Sequence, residues 1–244
     1  MTQPLIEVEV SEHVATVTLN RPPVNALNQP LRREIIAAFE TIHERKDVRV
    51  VVLTGAGKIF SAGADIKERA AIKDEPGDHG RLNRIVRELF YAVMECSKPV
   101  IAAVNGPAIG AGFALTLCCD ILVASQDATF AMPEIDVGMA GGVKFLQRHF
   151  SPSKSRWLML SGTLLAHPRC RTVFGWPELP LQQAAERCGD PALTEAAASL
   201  ARIESAASSN LLLVLPAALA APWLSLPWRL LDRKSTRLNS SHRT

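Results

Sequence analysis

The stretch KPVIAAVNGPAIGAGFALTLCCDILVAS (Lys98–Ser125) decides the fold. Its first part, PVIAAVNG, is a continuous apolar run without alternation, which predicts a strand covered on both faces. Small residues then run from Gly106 to Gly112, an apolar helix follows, and ILVAS returns to a strand after Asp120. Strands alternating with helices in this way predict an α/β fold with mostly parallel pairing. The small-residue loop is suited to bringing backbone amides close to a ligand, yet it holds no acid or base before Asp120. That aspartate reads as structural, capping the following strand, so any acid–base group must come from another part of the chain.

The same alternation extends outward. Ile6, Val8 and Val10 alternate with acids and Val14 to Leu19 continues the pattern, which predicts a hairpin. NRPPVNALN interrupts it, and Pro30 opens a helix whose apolar stripe is Leu31, Ile35, Ala38, Phe39 and Ile42. VRVVVLTG reads as a second fully buried strand, and GAGKIFSAGAD as a glycine- and alanine-rich loop entering IKERAAIK. Leu82, Ile85, Val86, Leu89, Phe90 and Val93 line one face of a further helix. FAMPEIDVGMAGG follows ILVAS.

With 244 residues, 48% of them hydrophobic and 21% charged, the chain is long enough for one large domain with a substantial core. Its charge is unevenly spread. Residues 1–163 hold 18 Lys and Arg against 18 Asp and Glu, so the formal net charge of +3 comes wholly from residues 164–244. Nucleic acid is therefore not an expected partner. The N-terminus MTQPLIEVEV has neither the basic nor the apolar region of a targeting peptide, and no membrane partner is expected. Five cysteines without a framework of spacings suit reduced, buried thiols, and a cytoplasmic location is expected. His13, His43, His79 and His149 have no metal-ligand spacing, so no metal is expected.

After Leu164 the composition changes. Three of the four Trp lie there, Lys nearly vanishes, and the apolar run LLLVLPAALAAPWLSLPW (211–228) is interrupted by Pro216, Pro222 and Pro227. DRKSTRLNSSH (232–242) matches, residue for residue, the translation of a common short-read sequencing adapter. AHPRCRTVFG (166–175) permits codons whose shifted frame reads Arg-Thr-Pro-x-Ala-Glu-Leu-Tyr. The expected organisation is a core over 1–163 and a frameshifted, non-native tail over 164–244.

Four motifs occur in order: NRPPVNALN (20–28), FSAGADIKE (60–68), KPVIAAVNGPAIGAG with CCDILVAS (98–125), and FAMPEIDVGMAGG (130–142). Their order and spacing over residues 5–163 resemble the crotonase superfamily, whose best-known members are enoyl-CoA hydratases and isomerases. The resemblance implies stacked ββα units with mostly parallel sheets, an acyl-CoA thioester as substrate, no separate cofactor because CoA is part of that substrate, and a homotrimer or hexamer. The family's C-terminal helical region is not recognisable here.

By the same resemblance, two backbone amides hold the thioester oxygen as it gains charge: Ala64 in SAGAD and Ala111 in GAGF. The second position is usually glycine, so Ala111 is a departure. Close packing of a helix on a strand is the alternative reading of Gly110-Ala111-Gly112. CoA is expected along Ala62, Gly63, Ala64, Asp65, Ile66 and Lys67, with Lys67 either facing a phosphate or simply solvated. Hydratases of the family use two glutamates, and the matching positions are Ala114 and Glu134. Its dienoyl-CoA isomerases place acids at the positions of Ala114 and Gly142, and both are missing here. A single carboxylate suffices to move a proton from C2 to C4 of a 3-enoyl-CoA, so Glu134 is the candidate proton shuttle and isomerisation is expected over hydration. The alternatives are a non-catalytic acyl-CoA-binding paralogue or the defective product of a truncated gene.

Overall fold

The computed structural model describes residues 3–71, 75–166 and, as backbone, 211–214. Beyond residue 166 the expected non-native tail lies outside the described residues, apart from that four-residue strand.

The chain begins with the predicted hairpin, β1 (Ile6–Ser11) and β2 (Val14–Leu19), joined through Glu12 and His13, both at positive φ. Helix α1 (Gln29–Glu44) follows, with Pro30 in its first turn, and Asn28 caps it by accepting the Leu31 N–H at 3.1 Å. Next come β3 (Val50–Gly55), the short α2 (Ile66–Ala70) and the long α3 (Asp78–Met94). The quoted stretch folds as β4 (Val100–Val104), the two-residue β5 (Ala108–Ile109), α4 (Ala111–Thr116) and β6 (Ile121–Ser125). Then β7 (Thr129–Ala131) leads into a 3-10 turn (Pro133–Val137), α5 (Val143–Leu146), α6 (Pro152–Ser161) and β8 (Leu165–Ala166); β9 is Leu211–Val214.

One sheet has the order β1-β2-β3-β4-β6-β9. From β2 to β6 all pairs are parallel, while β1 and β9 join antiparallel at the two edges. Every residue of β3 and β4 is buried, as the unbroken apolar runs predict. A second, smaller sheet has the order β5-β7-β8. Isolated parallel bridges extend it, Ser61 to Ala108 and Leu27 to Ala64. A strand of the large sheet, a short piece of the small one and a helix therefore recur along the chain, as β3, Ser61–Ala64 and α2; as β4, β5 and α4; and as β6, β7 and the 3-10 turn. These are the stacked ββα units, and the fold is mixed α/β with a mostly parallel sheet.

The core is continuous, uniting Val17, Leu53, Leu89, Phe113, Phe130 and Leu165. Each such side chain contributes about 1.5–3 kcal/mol on full burial. Of the α1 stripe, Leu31, Ile35, Phe39 and Ile42 are buried, and Ala38 packs against them partly exposed. Arg32 is buried too, at 3% exposure, which its charge does not suggest. Its guanidinium reaches Glu68 at 2.9 Å, so burial of the charge is compensated by an ion pair that ties α1 to α2. Asp120 behaves as expected: its carboxylate accepts the Val100 N–H at 2.9 Å while its own N–H donates to the Val100 carbonyl at 2.8 Å, locking β6 to β4.

Candidate active site

Two loops meet where the small sheet begins. Gly63 has φ +89°, and a Cβ built on it would lie 2.5 Å from the Ile109 carbonyl oxygen and 3.2 Å from the Ala111 nitrogen. Only a residue without a side chain lets the two backbones approach this closely at that φ. Hydrogen bonds fix the contact: Ile109 N–H donates to the Ser61 carbonyl at 2.9 Å, Ser61 N–H to the Pro107 carbonyl at 3.2 Å, and Leu27 N–H to the Gly63 carbonyl at 2.7 Å. Among the described residues, neither the Ala64 nor the Ala111 N–H donates to a protein acceptor. Ala111 opens α4, whose first turn leaves such donors unused by geometry.

Glu134 joins them from the fourth motif. Pro133 starts the 3-10 turn straight after β7, and Gly110 N–H donates to the Ala131 carbonyl at 2.8 Å, holding the two segments side by side. Gly110 has φ 55° and ψ −122°, and a Cβ there would lie 2.6 Å from Glu134 Oε1. The carboxyl group thus rests on the Gly110 Cα, one residue before Ala111. Its Oε2 is buried and has no hydrogen-bond partner among the described residues. Burial pushes the Glu134 carboxyl above its ordinary value, against a smaller opposing backbone hydrogen bond. The arrangement is a half-buried carboxyl group beside the Gly110–Ala111 segment, near two amides that donate to no protein acceptor among the described residues.

The remaining candidates divide. Ala62, Gly63, Ala64, Asp65, Ile66 and Lys67 run along the rim of this contact, with Ile66 61% exposed and Lys67 at the surface. The Asp65 side chain is committed to the fold. It caps α2 by accepting the Lys67 and Glu68 N–H groups and pairs with Arg21 at 2.7 Å. Burial acts to raise its carboxyl, but the Glu68 amide, Arg21 and the Lys67 amide outweigh that and hold it below the ordinary carboxylate value. Ala114 and Gly142 converge from separate motifs: a Cβ on Gly142 would lie 4.0 Å from the Ala114 Cβ and 2.6 Å from the Met132 methyl. Neither brings a carboxylate, and Met132 fills the space. Among the described residues no group of three or more His, Cys, Asp or Glu is placed to hold a metal ion.

A sequence profile described as enoyl-CoA hydratase/isomerase matches residues 9–167. The chain belongs to the enoyl-CoA hydratase/isomerase family. Among relatives of the family, the mitochondrial Delta(3,5)-Delta(2,4)-dienoyl-CoA isomerase of Rattus norvegicus is 42% identical over 147 residues, 56% of this chain and 45% of that protein. The 2,3-dehydroadipyl-CoA hydratase of Escherichia coli is 38% identical over 159 residues, 64% of this chain and 61% of that one. The chain therefore spans about half the length of the curated relatives it matches. Among solved structures, an enoyl-CoA hydratase/carnithine racemase from Magnetospirillum magneticum superposes with a TM-score of 0.70 at 28% identity, covering 83% of this chain and 82% of that one. An enoyl-CoA hydratase from Bacillus anthracis gives 0.65 at 32% identity, over 70% and 67%. Isomerase and hydratase relatives are about equally similar, so family membership alone does not select the reaction. Among the described residues no helix is long and apolar enough to cross a membrane.

The sequence reading missed Arg21, Asn25, Ser61 and Met132. Asn25 is buried with φ 50°, donates from Nδ2 to the Ala56 and Ile59 carbonyls at 3.0 and 2.8 Å, and accepts the Arg21 N–H at 3.0 Å. The one available signal was its residue type, since asparagine tolerates the left-handed region.

Proposed function

We propose that this protein isomerises 3-enoyl-CoA thioesters to 2-enoyl-CoA thioesters, with Glu134 as the single proton shuttle and the Ala64 and Ala111 N–H groups as donors to the thioester oxygen. The observation that carries this reading is the Glu134 carboxyl group, half-buried against Gly110 with one oxygen that has no hydrogen-bond partner among the described residues. Its carboxylate takes a proton from C2. The electrons left behind form a dienolate whose negative charge falls on the thioester oxygen, where the two amides stabilise it; removing one such donor costs about 3–4 kcal/mol. The C2–C3 double bond then forms as the protonated Glu134 returns the proton to C4. CoA lies along Ala62, Gly63, Ala64, Asp65, Ile66 and Lys67, with Gly110 and Ala111 against the thioester. Backbone groups of Asp65 serve here, because its side chain is engaged elsewhere.

Hydration needs a second positioned acid–base group to hold and deprotonate water, a contribution of about 10²–10⁴-fold. The natural place is Ala114, which is 2% exposed and lies beside Gly142. The absence of a carboxylate at either position supports isomerisation over both hydration and dienoyl-CoA isomerisation. The test is turnover of a 3-enoyl-CoA followed by absorbance of the conjugated product, with Glu134→Gln alongside. Glu134→Gln is expected to abolish conversion. Tight acyl-CoA binding without turnover, indifferent to that substitution, would instead identify a non-catalytic acyl-CoA-binding protein.

A further inference from the structure

We propose that Ser61 is a positioning residue that sets the distance between the two amide donors. It is fully buried, at 0% exposure. Its hydroxyl donates to the Asn25 carbonyl at 2.8 Å and accepts the Gly63 N–H at 3.2 Å, one residue before Ala64. Its backbone is bonded to Pro107 and Ile109 of the other loop. Its side chain also meets that loop face to face: a Cβ built on Gly112, one residue after Ala111, would lie 2.8 Å from Ser61 Cβ and 2.9 Å from Ser61 Oγ.

The hydroxyl therefore bonds two segments, while Ser61 as a residue lies against a third. Toward the first motif it holds Asn25, whose side chain in turn fixes Ala56 and Ile59 ahead of Ser61. Toward its own loop it holds the N–H of the Ala62–Gly63 peptide, the unit that leads directly into the peptide carrying the Ala64 N–H. Toward the third motif it is the surface on which α4 rests through Gly112, and so it limits how far Ala111 can approach. Alanine at 61 would leave the Gly63 N–H and the Asn25 carbonyl without their partner, loosening the Ala62–Gly63 peptide and with it the Gly63 Cα from which the next peptide, carrying the Ala64 N–H, sets out; that next peptide then keeps only the Leu27 N–H on its carbonyl. Oxyanion stabilisation depends on donor direction more steeply than ground-state binding does, so the loss falls on the charged state.

The inference rests on the enolate chemistry proposed above, and the experiment separates the two. Wild type, Ser61→Ala and the nearly isosteric Ser61→Cys are compared in three ways: turnover of a 3-enoyl-CoA, affinity for butyryl-CoA, and affinity for the enolate of acetoacetyl-CoA read by its absorbance. The expected result for Ser61→Ala is kcat lower by about 10- to 100-fold with KM within about twofold. Enolate affinity should fall in parallel while butyryl-CoA affinity is retained, with Ser61→Cys intermediate on each. If Ser61→Ala fails to fold, Ser61→Cys must still lose enolate affinity selectively. Equal losses for both ligands, or unchanged kcat and enolate affinity, overturn the positioning role. A wild type that binds butyryl-CoA but neither turns over nor prefers the enolate overturns the chemistry beneath it.

Discussion

The proposed proton-shuttle role of Glu134 has consequences that follow from its surroundings. With the carboxyl lifted above the ordinary glutamate value of 4.5 by burial, the reactive ionised form is reached only at a pH higher than an exposed glutamate needs. The acid limb of kcat/KM should therefore lie above the range of an exposed carboxylate, and a limb at the ordinary value would contradict the assignment. The same shift has a stability counterpart. The folded pKa is raised, so the fold favours the protonated form. That stabilising contribution is fully present below the unfolded pKa and is lost as pH rises through the folded pKa. Glu134→Gln should accordingly melt higher than wild type at neutral pH and lose that advantage in acid, the trade expected of a charge kept for chemistry. Melting curves at about pH 3.5 and about pH 8 bracket the transition.

At the scale of elements, short loops set the site and long helices hold it. The NRPPVNALN loop has little secondary structure, yet Asn25 satisfies two carbonyls of the Gly55–Phe60 segment and the Arg21 amide. Asn25→Ala would leave those buried groups unpaired and place a Cβ residue without a polar side chain at φ 50°. A loss on the order of 3 kcal/mol in unfolding free energy is expected by denaturant titration, and a loss under about 1 kcal/mol would show the loop to be held by other contacts. Helix and large-sheet elements were readable because burial on one face imposes a period and burial on both faces an unbroken apolar run. The small sheet was not: β5 and β8 have two residues each and β7 three, too few for any period to show.

Across the whole molecule, every described core side chain lies between Ile6 and Leu165, and the family match ends at 167. The one described contribution from farther along is β9, which pairs with β6 at the sheet edge over Leu211–Val214. A chain ending at 166 is therefore expected to keep a cooperative thermal transition while exposing the β6 edge, with a greater tendency to associate. Loss of cooperativity on truncation would show that residues beyond 166 complete the core. This bears directly on the proposal that the tail is not native, because a frameshifted segment has no reason to complete a core encoded elsewhere.

The sequence by itself determined the α/β class, the buried strands and both long helices, and its resemblance to a family singled out Ala64, Ala111 and Glu134 as candidates. Those follow from local periodicity and from motifs that are contiguous in the chain. Only the tertiary structure decided that Glu134 rests on Gly110, that Gly63 touches Ile109 and Ala111, that Ala114 faces Gly142, and that Ser61 joins its own amide loop to the other. Such contacts join segments tens of residues apart through backbone approaches that only side-chain-free positions allow. A glycine announces that something comes close, and the folded chain alone says what.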